Sequence, residues 1–299
     1  MKVLVFDIGG TYIKYALMDQ SYAFLHRGRI RTPQDSREQL IEALAEVYRE
    51  TDQPDGIAIS MPGIIDLENG YCRMGGALHY NDDFYLRHAL YEVCPVPIVM
   101  ENDAKCAAMA EAARGSLKDV NDGFVLIFGT MIGGGYIQNR RLVRGKHFSA
   151  GEISYIRTEG RKKQTDDSLF GLACGTPALC RSYAERKGLP PESVTGITVF
   201  DAVNSGEPEA ADALNEFTSD IAVQIFNLQT ILDPERFAIG GGISAQPVFT
   251  EYIRKNLKQL YAECSYTIPQ AEVVTCRFQN DANLAGALSC FLSETGQQS

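Results

Sequence analysis

The 299-residue sequence has no dense block of basic residues, no run of about 18 apolar residues, no C-x-x-C pair and no standard nucleotide fingerprint. Each absence removes a class of protein. Without a long apolar run, no membrane-spanning helix is expected. With 28 Lys+Arg against 38 Asp+Glu, net charge −10, there is no basic face for duplex nucleic acid, and Arg161-Lys162-Lys163, the densest cluster, is expected to be a solvated loop. The eight cysteines are scattered, several within apolar helical stretches, which predicts reduced, buried thiols and a cytoplasmic protein. The chain opens directly on a strand, Lys2 to Phe6, so no signal peptide is expected. Neither a G-x-x-x-x-G-K-[ST] loop nor a strand-to-helix G-x-G-x-x-G occurs.

What is present is 27 glycines, grouped at turns, in a chain long enough for two domains. Val3 to Asp7 is a short apolar strand that enters a turn at Gly9-Gly10-Thr11 and returns as Ile13 to Met18. Phe124 to Phe128 repeats the pattern, with a Gly/Thr turn running from Gly129-Thr130-Met131 through Gly133-Gly134-Gly135 and a return as Tyr136 to Gln138. Two such hairpins about 120 residues apart suggest a duplicated unit. Helices are predicted over Ser36–Arg49, Asn102–Arg114, Leu169–Arg186, Pro208–Leu232 and Ala282–Leu292, alternating with strands Gly56–Met61, Ile98–Met100, Phe237–Ile239 and Glu272–Cys276. The reading is α/β with two mixed sheets and a boundary near Gly115 to Asn121. The expected domains are 1–117 with about 281–299, a small α/β domain, and 118–280, a larger one.

A tight turn of glycine and threonine presents several backbone N–H groups, which suits phosphate oxygens. Asp7 closes the first strand beside such a turn. A carboxylate there would repel phosphate unless Mg²⁺ stood between them, so the pair suggests a metal nucleotide. For one hairpin alone, an ordinary turn is the plainer account; two matching ones argue for more. Gly240-Gly241-Gly242, after a strand and before a helix, would let adenosine approach the backbone or would simply be a turn. Asn102-Asp103 stands at a strand end and helix start. Taken locally it is a helix cap, but a carboxylate at that place also suits a general base that accepts a hydroxyl proton in phosphoryl transfer.

Asp7-Ile8-Gly9-Gly10-Thr11, Glu101-Asn102-Asp103-Ala104, Phe128-Gly129-Thr130-Met131-Ile132-Gly133-Gly134-Gly135, Gly151-Glu152-Ile153 and Ile239-Gly240-Gly241-Gly242-Ile243-Ser244 stand in an order and spacing that resembles the ROK family of repressors, open reading frames and sugar kinases. The resemblance runs from residue 2 to about 293. It implies a duplicated α/β fold of the actin/hexokinase (ribonuclease H-like) kind with a central cleft. It implies ATP and Mg²⁺ as cofactors: Gly9, Gly10, Thr11, Lys14, Thr130, Gly133 and Gly134 at the phosphates, Asp7 on Mg²⁺ through water, and Gly240, Gly241 and Gly242 at adenosine. It implies Asp103 as general base, and Asn102, Asp103, Glu152, Tyr155 and Gly63 (after Pro62) around the sugar. The implied reaction is phosphorylation of a hexose or N-acylhexosamine at the 6-hydroxyl, in a homodimer; a non-catalytic sugar sensor is the alternative. ROK repressors carry some 80 residues of winged helix-turn-helix before the first strand, and Asp7 leaves no room for one.

The sequence departs from the family in several places. Tyr155 replaces the usual histidine, and the segment aligned with the zinc-binding C-x-C-G-x-x-G-C-x-E loop, about Arg161 to Phe170, has no cysteine, so no structural zinc is expected. Tyr155 and Phe170 would then alter sugar recognition, opening the pocket to an N-acetyl group or an aglycone. Met131, Ala150 and Ser154 replace family glycines; a positive φ at Met131 would be strained, and a negative one would turn its side chain toward the phosphates.

Overall fold

The computed structural model describes residues 1–158 and 168–297. Contacts divide the chain into two compact units. Unit 1 holds 1–114, 142–150 and 281–299; unit 2 holds 115–141 and 151–280. Segment 142–150, expected within the second domain, thus lies with the first.

The first stretch contains β1 (Lys2–Ile8), β2 (Tyr12–Asp19), β3 (Phe24–Arg31), α1 (Arg37–Glu50), β4 (Gly56–Met61), β5 (Ile64–Asp66), β6 (Tyr71–Met74), α2 (Leu86–Tyr91), β7 (Ile98–Asn102) and α3 (Asp103–Arg114). The second contains β8 (Gly123–Phe128), β9 (Ile132–Gln138), β10 (Arg141–Leu142), α4 (Phe170–Ala173), α5 (Thr176–Lys187), α6 (Gly196–Asn204), α7 (Pro208–Leu232), β11 (Arg236–Gly241), α8 (Pro247–Glu263) and β12 (Val273–Thr275). The terminal α9 (Ala282–Glu294) returns to unit 1.

The duplication is visible in the sheets. Unit 1 orders its strands β3-β2-β1-β4-β7 and unit 2 β10-β9-β8-β11-β12. In each, a glycine-tipped antiparallel pair (β1/β2, β8/β9) leads into two parallel additions. The central strands β1, β4 and β8 are near-continuous apolar runs, as strands covered on both faces require. In unit 1 the core gathers Leu4, Phe6 and Ile8 with Leu40, Leu44, Ile57, Ile59 and Met100. Helix α1 starts where Ser36 accepts a hydrogen bond from the Gln39 N–H, an N-cap that its sequence announces. On the other face, α9 packs its Ala- and Gly-rich side on α3: a Cβ on Gly286 would fall 1.7 Å from the Cys106 carbonyl.

The single helix expected over 169–186 is two. The chain breaks at Cys174-Gly175, where a Cβ on Gly175 would stand 2.3 Å from the Thr130 carbonyl, and α5 restarts with Pro177 in its first turn. Gly-Thr-Pro is a helix-start signal.

Candidate functional site

In unit 1 the register of the first hairpin places Lys14 directly opposite Asp7, so the two side chains share a face. Lys14 Nζ lies 3.4 Å from one Asp7 oxygen, and Asn283 Nδ2, from the first turn of α9, donates to the other at 2.9 Å. Asp7 is buried, with one oxygen held by each partner. Nothing in the sequence near Asp7 points to Asn283, which is 276 residues away.

The hairpin tip is closed by Gly9 N–H donating to Tyr12 O at 3.1 Å. Its three carbonyls all have donors from the chain just beyond β3. Thr32 Oγ1 donates to Gly9 O at 2.6 Å, Gln34 Nε2 to Gly10 O at 2.8 Å, and Thr32 N–H to Thr11 O at 3.1 Å. In a trans peptide the N–H points opposite to the C=O. With the carbonyls turned to Thr32 and Gln34, the Gly10 and Thr11 N–H groups face the other way. Neither Gly9 nor Gly10 has a positive φ, and a Cβ at Gly10 would meet nothing nearer than Ala77 at 3.7 Å. The protein itself does not demand a bare Cα at Gly10; a group approaching the turn would. Outward N–H groups beside a single buried carboxylate fit a phosphate chain whose Mg²⁺ is held largely by phosphate and water.

Asn102 ends β7 and Asp103 opens α3. Asn102 does more than the expected capping. Its Oδ1 accepts from Lys105 N–H at 3.1 Å, while its Nδ2 donates to Gly63 O at 2.9 Å. Gly63 has φ +106°, and a Cβ there would strike the Met74 carbonyl, so glycine is obligatory at that turn. Asn102 N–H donates to Glu101 Oε1 at 2.9 Å. The other Glu101 oxygen takes Arg144 Nε at 2.6 Å, and Arg144 also pairs with Glu294 at 3.0 Å. Those carboxylates hold the Arg144 guanidinium above its usual pKa against the opposing effect of burial. Buried Lys105 donates to the Phe148 carbonyl at 3.0 Å. Segment 142–150 therefore braces the β7–α3 junction, with Asp103 half-buried at the helix start. Unit 1 thus brings together Asp7, Gly9, Gly10, Thr11, Lys14, Gly63, Asn102 and Asp103 around the C-terminal ends of β1, β4 and β7.

In unit 2 the second turn is shorter than expected. It consists of Gly129, Thr130 and Met131, closed by Gly129 N–H donating to Met131 O at 3.0 Å. Gly133 and Gly134 lie within β9, paired with Ile127 and Leu126, so they are ladder positions and not tip positions. A Cβ on Gly134 would be 2.5 Å from the Gly151 carbonyl, which explains that glycine by packing. The third glycine run divides in the same way. Gly240 lies against Ile127 and Cys276, and Gly241 has φ +93° with its Cα tight on Phe128; only Gly242 has open space around its Cα.

Met131 is not among the residues of positive φ and carries no such strain. Its side chain turns toward Gly171 of α4: a Cβ on Gly171 would be 2.9 Å from Met131 Cε and 2.6 Å from Ser154 Oγ. The side chains of Met131 and Ser154 are thus accommodated by the bare Cα of Gly171. Ser154 also donates to the Ile132 carbonyl. Ala150 N–H donates to Arg144 O at 3.0 Å within unit 1. Glu152 is half-buried at the start of a short 3₁₀ turn, and Tyr155, at its end, is 49% exposed. Phe170, expected beside the sugar, is instead 0% exposed, its ring in the apolar interior at the head of α4, so it offers no surface to a ligand.

The segment aligned with the zinc loop falls largely on residues 159–167, outside the described residues. Among the described residues no group of three or more His, Cys, Asp or Glu side chains is placed to hold a metal, and no helix is long and apolar enough to cross a membrane. Cys174 and Cys180 are free and buried.

Comparison with known proteins identifies the family and the fold. The pattern described as the ROK family matches residues 3–294, and the chain belongs to that family. A beta-glucoside kinase of Listeria innocua is 32% identical over 296 residues, covering 98% of each chain. The crystal structure of a ROK family protein from Streptococcus pneumoniae in complex with sucrose superposes with a TM-score of 0.91 at 28% identity, covering 100% of both chains. The ROK hexokinase of Thermus thermophilus superposes at 0.83 with 25% identity, covering 99% of this chain and 100% of its own. The two α/β units are those of ROK sugar kinases.

Proposed function

We propose that this chain is an ATP-dependent sugar kinase in which Asp103 is the general base. Family membership and the likeness to a beta-glucoside kinase support the activity. The observation that carries the assignment of the base is the β7–α3 junction. There a chain of bonds from Glu294 through Arg144 and Glu101 to Asn102 fixes the backbone that presents Asp103.

Asn102 and the turn at Gly63 orient the sugar. The Asp103 carboxylate takes the proton from the acceptor hydroxyl, which we assign as the 6-hydroxyl, as its oxygen attacks the γ-phosphate. The Gly10 and Thr11 N–H groups and Lys14 bind phosphate oxygens. Asp7, oriented by Asn283, would hold Mg²⁺ through water; when bound, that ion offsets phosphate charge. Gly129, Thr130 and Gly242 supply backbone to the nucleotide from unit 2. Glu152 and Tyr155 extend sugar binding, and an exposed tyrosine ring in place of an imidazole suits a hexose bearing an aglycone or an N-acyl group. A homodimer in the cytoplasm is part of the same reading, and light scattering tests the dimer.

The test is ADP release from Mg-ATP with glucose, N-acetylmannosamine and β-glucosides in turn, for wild type and Asp103→Asn. Sugar-dependent ADP that falls at least ~10²-fold in kcat in the variant, with the melting temperature kept, supports the proposal. Near-wild-type turnover in the variant removes Asp103 from the mechanism. Sugar-dependent stabilisation with no ADP from any sugar would instead establish a non-catalytic sensor.

A further inference from the structure

The nucleotide turn of unit 1 does not hold its own shape. A Gly-Gly-Thr tip has wide conformational freedom, and the single bond across it, Gly9 N–H to Tyr12 O, leaves the intervening peptide planes free to rotate. A phosphate would then have to order the turn as it binds, and would pay the entropy of doing so. What fixes the planes lies some 20 residues on. Thr32 is 4% exposed, and it grips the tip twice, through its hydroxyl on Gly9 O and its N–H on Thr11 O. Gln34 is exposed, yet its amide is held in place by bonding both Gly10 O, at 2.8 Å, and Thr32 O, at 2.9 Å. Three successive carbonyls thus have three donors from one short segment.

From this we infer that Thr32 and Gln34 are positioning residues for the ATP phosphates: they fix the peptide planes of residues 9–12 and so pre-aim the Gly10 and Thr11 N–H donors. The inference rests on the reading of this turn as the phosphate cradle. Neither side chain touches the nucleotide; each acts through the carbonyl it holds. Because the Thr32 N–H bond survives side-chain replacement, Thr32→Val removes one of the two grips and keeps the shape of the residue.

Thr32→Val, Thr32→Ser, Gln34→Leu and, as a control on the cradle itself, Gly10→Val are compared with wild type. The readouts are KM for ATP, KM for sugar, kcat, and calorimetric binding of a non-hydrolysable ATP analogue. Expected are a five- to tenfold rise in KM for ATP and in the analogue's Kd for Thr32→Val and a smaller rise for Gln34→Leu, the scale of one lost hydrogen bond. Sugar KM should stay within about twofold and Thr32→Ser should restore nucleotide binding, which a purely structural role would not produce. Should Thr32→Val fail to fold, Gln34→Leu, at an exposed position, reads the same property. Unchanged nucleotide constants in Thr32→Val and Gln34→Leu, with Gly10→Val strongly impaired, would overturn the inference and keep the cradle. Unchanged constants in all three would remove the cradle as well. An equal rise in sugar KM would also overturn it, since a general loosening of unit 1 gives that result.

Discussion

The two glycine hairpins sit on the same strand topology and are braced by different groups. In unit 1 the tip carbonyls go to side chains, the hydroxyl of Thr32 and the amide of Gln34, with one backbone donor from Thr32. In unit 2 the Gly129 carbonyl takes the N–H of Thr176 at 2.9 Å, at the start of α5, and the Thr130 carbonyl rests against the Cα of Gly175. A helix start thus does for the second turn what two polar side chains do for the first. The first brace can be removed by point substitution; the second is backbone, and only a change in α5 would alter it. The difference extends to the glycines. Gly9, Gly10, Gly129 and Gly242 have no protein atom within 3.0 Å of a would-be Cβ, whereas Gly134, Gly240 and Gly241 are hemmed in by the protein. The same residue type is required by packing at one set of positions and leaves open space at the other.

Adjacent glycines give the largest expected contrast. Gly241→Ala adds a Cβ 2.1 Å from the Phe128 carbonyl at a φ of +93°, and should cost about 3 kcal/mol or more, visible as loss of soluble protein or a large fall in urea midpoint. Gly242→Ala adds a Cβ to open space and should move stability by less than about 0.5 kcal/mol while raising KM for ATP. Equal stability losses at both positions would erase the division between open and crowded glycines.

A middle-sized effect is expected at the cluster of Met131, Ser154 and Gly171. Gly171→Ala crowds Met131 Cε and Ser154 Oγ and should destabilise by about 1–3 kcal/mol. Met131→Ala frees one of those contacts, so the double variant should recover part of the loss, with a coupling of about 0.5–1 kcal/mol in a double-mutant cycle. Met131→Gly should give no gain in kcat/KM, because the side chain is directed to α4; a marked gain would mean that it crowds the nucleotide after all. Strictly additive losses in the cycle would separate Met131 from Gly171.

These clusters also show where the sequence was informative. Asp7, the Gly9–Thr11 turn and Asn102-Asp103 are legible because each sits at a junction with its own local signature: an apolar strand into glycines, or a strand into a capped helix. Thr32, Gln34 and Asn283 are not, because a brace needs only one donor at the right place in space, and it leaves no periodicity or spacing behind. Gly134, Gly240 and Gly241 cannot be told from Gly242 in the sequence, since a run of glycines does not say which Cα is crowded; the register of β8 with β9 and of β11 with β8 shows which are. The split of the expected 169–186 helix had a written signal, Gly175-Thr176-Pro177, that the surrounding helical pattern outweighed. The resemblance puts Phe170 beside the sugar, but an apolar ring at the head of α4 is drawn into the core.

A pH-dependent effect concerns the bodies of the units rather than their tips. In unit 1 burial pushes the Cys72 thiol up to about 12 and the Cys94 thiol up to about 11; in unit 2 burial likewise raises Cys174. An unfolded thiol titrates near 8.5. Since the folded values lie above the unfolded one, the neutral thiols contribute their full stability below about pH 8.5 and lose it as pH rises toward the folded values. The urea midpoint should therefore be flat through pH 8 and decline between about 9 and 11, with the steepest part where unfolded thiolates outnumber folded ones. Cys72→Ala removes one of these titrations at the cost of a small cavity. Its midpoint should start lower and fall less steeply over that interval, by the share of one proton. A slope unchanged from wild type would show that Cys72 ionises as easily folded as unfolded, and that the alkaline limit of unit 1 is set by other groups.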